Sequence, residues 1–188
     1  MKVIGTDGKE YTIEPRAELR EANLEDADLR WASLRGVNLY RANLSGTDLR
    51  EANLRNTNLS DANLSGANLG GADLSRVNLM DTNLSNADLS NANLEGALYT
   101  DGTKFPEGFD PVDSGMHWIE PNADLSKANL IKANLRNANL RGANLVHADL
   151  SEVDLYKANL RGAKLSEAVW NGDTVFPEGF EIPEGSQA

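Results

Sequence analysis

Ala22-Asn23-Leu24-Glu25-Asp26, Ala27-Asp28-Leu29-Arg30-Trp31 and Ala32-Ser33-Leu34-Arg35-Gly36 are consecutive units of one five-residue pattern, and that pattern decides how this chain folds. Leucine returns at every fifth position from Leu19 to Leu94 without a gap, and again from Leu125 to Leu165. Two places before each Leu stands a small residue, mostly Ala, with Val or Thr at Val37, Thr47, Thr57, Val77, Thr82 and Val153. Asn or Asp lies between them, with few exceptions such as Glu18, Ser33 and Lys164. A period of five matches neither the 3.6 of a helix nor the 2 of a strand, so neither would keep Leu and Ala on one buried side. Asn beside every Leu also opposes long helices, because its side chain competes for backbone hydrogen bonds and favours turns. The chain must therefore turn regularly. If each pentad is one side of a square, four pentads close a coil, with Leu at the centre and the small residue filling the space beside it. Stacked coils then bond backbone to backbone at roughly 4.8 Å, the spacing of neighbouring strands.

Composition agrees with a repetitive core. The apolar residues are nearly all Leu and Ala, and aromatics make up 6% of the 188 residues, too few for a conventional globular core. A formal charge of −11 disfavours direct binding to nucleic acid or an anionic membrane and favours basic partners. The absence of cysteine excludes disulfides, thiolate catalysis and Cys-based zinc sites. Residues 1–8 hold no apolar run of signal-peptide length and no stretch is long enough to span a bilayer, so the expected address is cytoplasmic.

Ala22-Asn23-Leu24-Glu25-Asp26, Ala62-Asn63-Leu64-Ser65-Gly66 and Ala143-Asn144-Leu145-Val146-His147 resemble the A(D/N)LXX consensus of the pentapeptide-repeat family, over about three quarters of the chain. The resemblance implies an all-β fold, a right-handed quadrilateral parallel β-helix or pentapeptide-repeat solenoid, here interrupted once by a loop. It also implies a group abundant in cyanobacteria, some members of which regulate cell differentiation through protein contacts.

Two segments outside the pentads occur twice. One run exits through Thr103-Lys104-Phe105-Pro106-Glu107-Gly108-Phe109, the other through Thr174-Val175-Phe176-Pro177-Glu178-Gly179-Phe180. The lead-ins match as well, Ile13-Glu14-Pro15 against Ile119-Glu120-Pro121. This divides the chain into an N-terminal hairpin or cap (1–16) turning at Asp7-Gly8, a first repeat run (17–101), a connecting loop (102–122), a second run (123–170) and a C-terminal cap and tail (171–188). An open end of such a stack exposes apolar core and unpaired backbone, so Phe176 and Phe180 are expected to cover the last coil. Phe105 and Phe109 either cap a finished first stack or pin a projecting loop while one stack continues. The second arrangement is preferred, since burying both internal ends against each other removes more apolar surface from water.

The expected contact residues lie in the loop, Phe105, Phe109, Met116, His117 and Trp118, because long loops carry function disproportionately. A second group comes from stepping twenty along the sequence: Arg30 over Arg50, beside Arg35 over Arg55. Like charges about 5 Å apart in water cost roughly 1 kcal/mol before screening, so the column is tolerable but not neutral. In the column Glu21, Arg41, Asp61, Asp81, Arg41 is expected to pair with Glu21 and Asp61. Catalytic, cofactor and metal sites are not expected. The two histidines, His117 and His147, lack any triad or metal-ligand spacing. The Asp and Asn residues lack the glycine pattern of calcium-binding repeats, and the recurring pentad-end glycines read as turns.

The leading functional expectation is a non-catalytic protein-binding or scaffold module. The alternative is an acidic mimic of DNA that binds or protects DNA gyrase, as the resemblance implies for the quinolone-resistance members. Residues 17–101 carry 7 basic against 13 acidic side chains, which fits such a mimic, whereas residues 123–170 carry 7 against 5. An exposed terminal coil can also pair with its twin in a homodimer.

Overall fold

The computed structural model describes residues 1–182, so the end of the expected C-terminal tail, 183–188, lies outside the described residues. The chain divides into two compact units, the first Met1–Met116 and the second beginning at His117.

Each pentad is a reverse turn. The Ala27 amide donates to the Leu24 carbonyl at 3.1 Å, and Asp26, the third residue of the turn, has φ +56°. A positive φ at that position is the mark of a type II turn. The same bond and the same sign of φ recur after every Leu of both runs. The Asn or Asp before the Leu steadies the turn: Asn43 Oδ1 accepts the Ser45 amide at 3.2 Å, as Asn63 Oδ1 accepts that of Ser65 at 3.1 Å. Asn suits this position because its short side chain caps the backbone two residues on.

Turns are joined by parallel bridges between residues twenty apart, such as Asn23↔Asn43 and Asn43↔Asn63. There the Leu24 amide donates to the Asn43 carbonyl at 2.7 Å, and the Asn43 amide donates to the Ala22 carbonyl at 2.9 Å. Side chains repeat the link, with Asn43 Nδ2 donating to Asn23 Oδ1 at 3.1 Å and Asn83 Nδ2 to Asn63 Oδ1 at 3.3 Å. In the first unit this arrangement buries Leu24 through Leu84 at full depth with Ala22, Ala42 and Ala62 beside them. Full burial of a leucine contributes about 1.5–3 kcal/mol, so a ladder of them dominates the stability of the unit. The second unit buries Leu125 through Leu165 and Trp170 in the same manner.

The expected all-β, right-handed quadrilateral parallel β-helix with a single interruption is corrected here. Among the described residues strands proper are confined to Lys2–Ile4 (β1), Glu10–Thr12 (β2), Leu98–Tyr99 (β3) and His117–Trp118 (β4), two or three residues each, too short to be the walls of a closed helix. The physical reason is local. A turn consumes most of each pentad and leaves one residue extended enough to bridge, so the repeats contribute isolated bridges and no continuous strand. Nor does the segment after the first run project as a loop. Lys104 bridges Asn83, and Phe105, Phe109 and Met116 are half-buried against the core of the first unit.

β1 and β2 pair antiparallel in the register Val3↔Tyr11 and place both of those side chains against the first core. Tyr11 Oη accepts the Asn23 amide at 3.1 Å and donates to Asp7 Oδ2 at 2.8 Å, which ties the hairpin to the first turns of the run.

The two exit segments are built alike. Tyr99 meets Phe105 edge-on at 5.6 Å and Phe105 stacks on Phe109 at 5.1 Å; Trp170, Phe176 and Phe180 repeat this at 5.7 Å each. The shared Thr has a bonding role: Thr103 Oγ1 donates to the Leu79 carbonyl at 2.8 Å, and Thr174 Oγ1 to that of Leu150 at 2.9 Å. Among the described residues no helix is long and apolar enough to cross a membrane.

Candidate interaction site

Stepping by twenty brings Arg30, Arg50, Gly70 and Ser90 into one column of the first unit and Trp31, Glu51, Gly71 and Asn91 into the next. Leu69-Gly70-Gly71 is the pentad in either run with glycine at both positions after Leu. The missing side chains leave a cavity of about 500 Å³, lined by Arg30, Trp31, Arg50, Glu51, Asp88 and Ser90 among others. Trp31, on its rim, is 69% exposed. The Glu51 carboxylate leans over Gly71, where a Cβ would come within 2.6 Å of Glu51 Oε1.

The arginines here are held by aspartates of the same face. Arg30 donates through Nε and Nη2 to Asp28 at 2.8 and 2.7 Å, and Arg50 does the same to Asp48 at 2.9 and 2.6 Å. The guanidinium of Arg30 also lies over the Trp31 ring, 5.2 Å from its centre. The hydrogen bonds from Arg30 hold the Asp28 carboxyl down at about 2. The Arg50 side chain lowers Asp48 in the same way, and the Ser90 hydroxyl and amide lower Asp88. Glu51 and Asp88 have no ion-pair partner among the described residues.

A family model described as pentapeptide repeats, in 8 copies, matches residues 17–56, 57–96 and 122–155, more than half of the chain. The chain belongs to the pentapeptide-repeat family. Among solved structures it is similar to a pentapeptide repeat protein from Nostoc PCC 7120, 44% identical over 55% of this chain and 85% of that one, with a TM-score of 0.54. It is also similar to HetL of the same organism, a pentapeptide repeat protein involved in heterocyst differentiation regulation, at 32% identity over 81% of this chain and 72% of that one, TM-score 0.35. QnrB1, a plasmid-mediated fluoroquinolone resistance protein, is similar at 16% identity over 78% and 79% of the two chains, TM-score 0.39, too distant to argue from. None of the curated proteins matches the chain. As a pentapeptide-repeat protein this chain is not an enzyme.

The residues singled out in the sequence of this pentapeptide-repeat protein do not form one site. Arg30 and Arg50 line the cavity, while Arg55 turns to Asp73 at 3.6 Å and Arg35 is exposed. Phe105, Phe109 and Met116 pack on the first core, whereas Trp118, in β4, is 42% exposed and His117 half-buried. Arg41 does not pair with Glu21 or Asp61; its guanidinium lies 4.9 Å from the centre of the Tyr40 ring, as does that of Arg20. His147 faces Glu167 at 3.4 Å on an exposed column. The cavity itself escaped the sequence reading, although the doubled glycine was visible there and its twenty-step neighbours could have been read off.

Proposed function

We propose that this pentapeptide-repeat protein works by protein contact, through the outward columns of its first unit. The supporting observation is the cavity at Gly70–Gly71, bordered by the exposed Trp31 and by the carboxylates of Glu51 and Asp88. Apolar and charged groups held in fixed register on a hydrogen-bonded ladder suit recognition, because they lose little freedom on binding. This shifts the expected contact from the loop phenylalanines, which serve the core, to the repeat face. The experiment is affinity capture with intact protein against Trp31→Ala and Gly70→Gln variants. A protein retained by the parent and lost by both variants supports the reading, and one retained equally by all three overturns the choice of face.

A second reading has its own support. The first run carries 13 acids against 7 bases, and Arg30, Arg50 and Arg55 are each tied to an aspartate, so they interrupt its negative surface less than their number suggests. That favours an acidic surrogate for DNA, with DNA gyrase as the protein contacted. A supercoiling assay decides it: inhibition or drug protection at micromolar protein supports the mimic, and an unaffected enzyme removes it.

A further inference from the structure

The charges around the Gly70–Gly71 cavity do not cancel. Both basic side chains on it are engaged by two hydrogen bonds each, Arg30 to Asp28 and Arg50 to Asp48, so their forks are already filled by carboxylates. What remains is negative: Glu51 over Gly71, and Asp88, which accepts the Ser90 amide at 2.9 Å and has no ion-pair partner among the described residues. Beside them stands an indole that is 69% exposed even with the Arg30 guanidinium 5.2 Å from its centre. Trp31 and the coil of Asp88 lie three coils apart, so a ligand that meets all of them must be cationic and forked enough to pair with a carboxylate, on a chain long enough to run past the indole. Guanidinium has those properties, and an ammonium has only the first. The cavity is an open one of about 500 Å³, with room for one long side chain laid into it.

We propose that the cavity is a socket for an arginine side chain projecting from a protein partner, with the guanidinium on Glu51 and Asp88 and the chain that carries it running past Trp31. This rests on the protein-contact reading and narrows it to a partner with an exposed arginine. Gly70 is the residue that keeps the socket open. Every other pentad carries a side chain at its position, and Ser65 and Ser75 make the same amide-to-Asx bond that Gly70 makes to Asn68 at 3.1 Å, so its backbone does not require glycine.

The test uses the ¹⁵N-labelled full chain, titrated with a capped glycine pentapeptide holding one central arginine, and in parallel with its lysine and glutamate counterparts and with inorganic phosphate. The arginine peptide should shift the amides of Gly70 and Gly71 and the Trp31 indole N–H along one saturable curve, and the lysine peptide should bind more weakly. Glu51→Gln should weaken binding about tenfold, the scale of one hydrogen bond to a charged group. Gly70→Gln should abolish it while the rest of the spectrum is unchanged. Shifts at these three probes that persist in Gly70→Gln, tighter binding of phosphate or of the glutamate peptide, or no saturable shift with arginine would each overturn the socket. If the socket fails but a protein partner is still captured by Gly70→Gln, the protein-contact reading survives through another surface. If no protein is captured by the intact chain, that broader reading fails instead.

Discussion

Leu54 has no accessible surface and lies in the ladder with Leu34 and Leu74, one coil away on either side. Cutting it to alanine leaves a void that a backbone bonded on both sides cannot close. Leu54→Ala should therefore cost about 3 kcal/mol in urea denaturation, and Leu54→Met less than about 1.5. Thr57 Oγ1 donates to the Leu34 carbonyl at 2.7 Å inside the same core, while that carbonyl also accepts the Val37 amide. Because the acceptor keeps one partner, Thr57→Val should cost only about 1 kcal/mol. Asp28 sets the acid limit. Its carboxyl, held at about 2 by Arg30, lies below the ordinary 3.8, so the folded chain binds fewer protons there than the unfolded one. Its stabilisation is complete above about pH 4 and is lost as pH falls toward 2, with Asp48, Asp88 and Asp124 shifted in the same direction. Melting temperatures across that window should fall, and less steeply for Asp28→Asn. At this scale the inward Leu was plain in the sequence. The arginine partners were not, because Arg30 reaches Asp28 within its own pentad whereas Arg41 turns aside onto Tyr40.

The turn is the element, and it carries strain. Twenty described non-glycine residues have positive φ, a conformation an L residue adopts at a cost of roughly 1–2 kcal/mol. The bridges to the coils on either side hold them there. Gly66 has φ +69° with open space around its Cβ position, so Gly66→Ala should cost about 1 kcal/mol by conformation alone, measured by thermal unfolding. Gly71→Ala should cost about the same, since the Glu51 carboxylate that its Cβ meets is the free end of an exposed side chain and can swing aside. The repeated Phe-Pro-Glu-Gly-Phe segments were legible as a duplicated unit. Whether their rings projected or packed was not, because that depends on which core end lies within reach.

At the scale of the whole molecule, a charge of −11 should speed the approach of any basic partner. The association rate should drop as salt rises to physiological strength, where screening acts over about 8 Å. Surface plasmon resonance at two salt concentrations checks this, and a rate indifferent to salt would count against recognition by charge. The sequence by itself determined the period, the inward Leu and Ala, the turn chemistry of Asn and Gly and the twice-used exit, because each follows from the size and bonding of single residues at a regular spacing. Only the tertiary structure decided that the pentads join by isolated bridges instead of strands, that the chain forms two compact units, and that Phe105, Phe109 and Met116 belong to a core. It also brought Trp31, Glu51 and Asp88 around the doubled glycine, since those residues are far apart in the chain and meet only when coils of twenty are laid one on another.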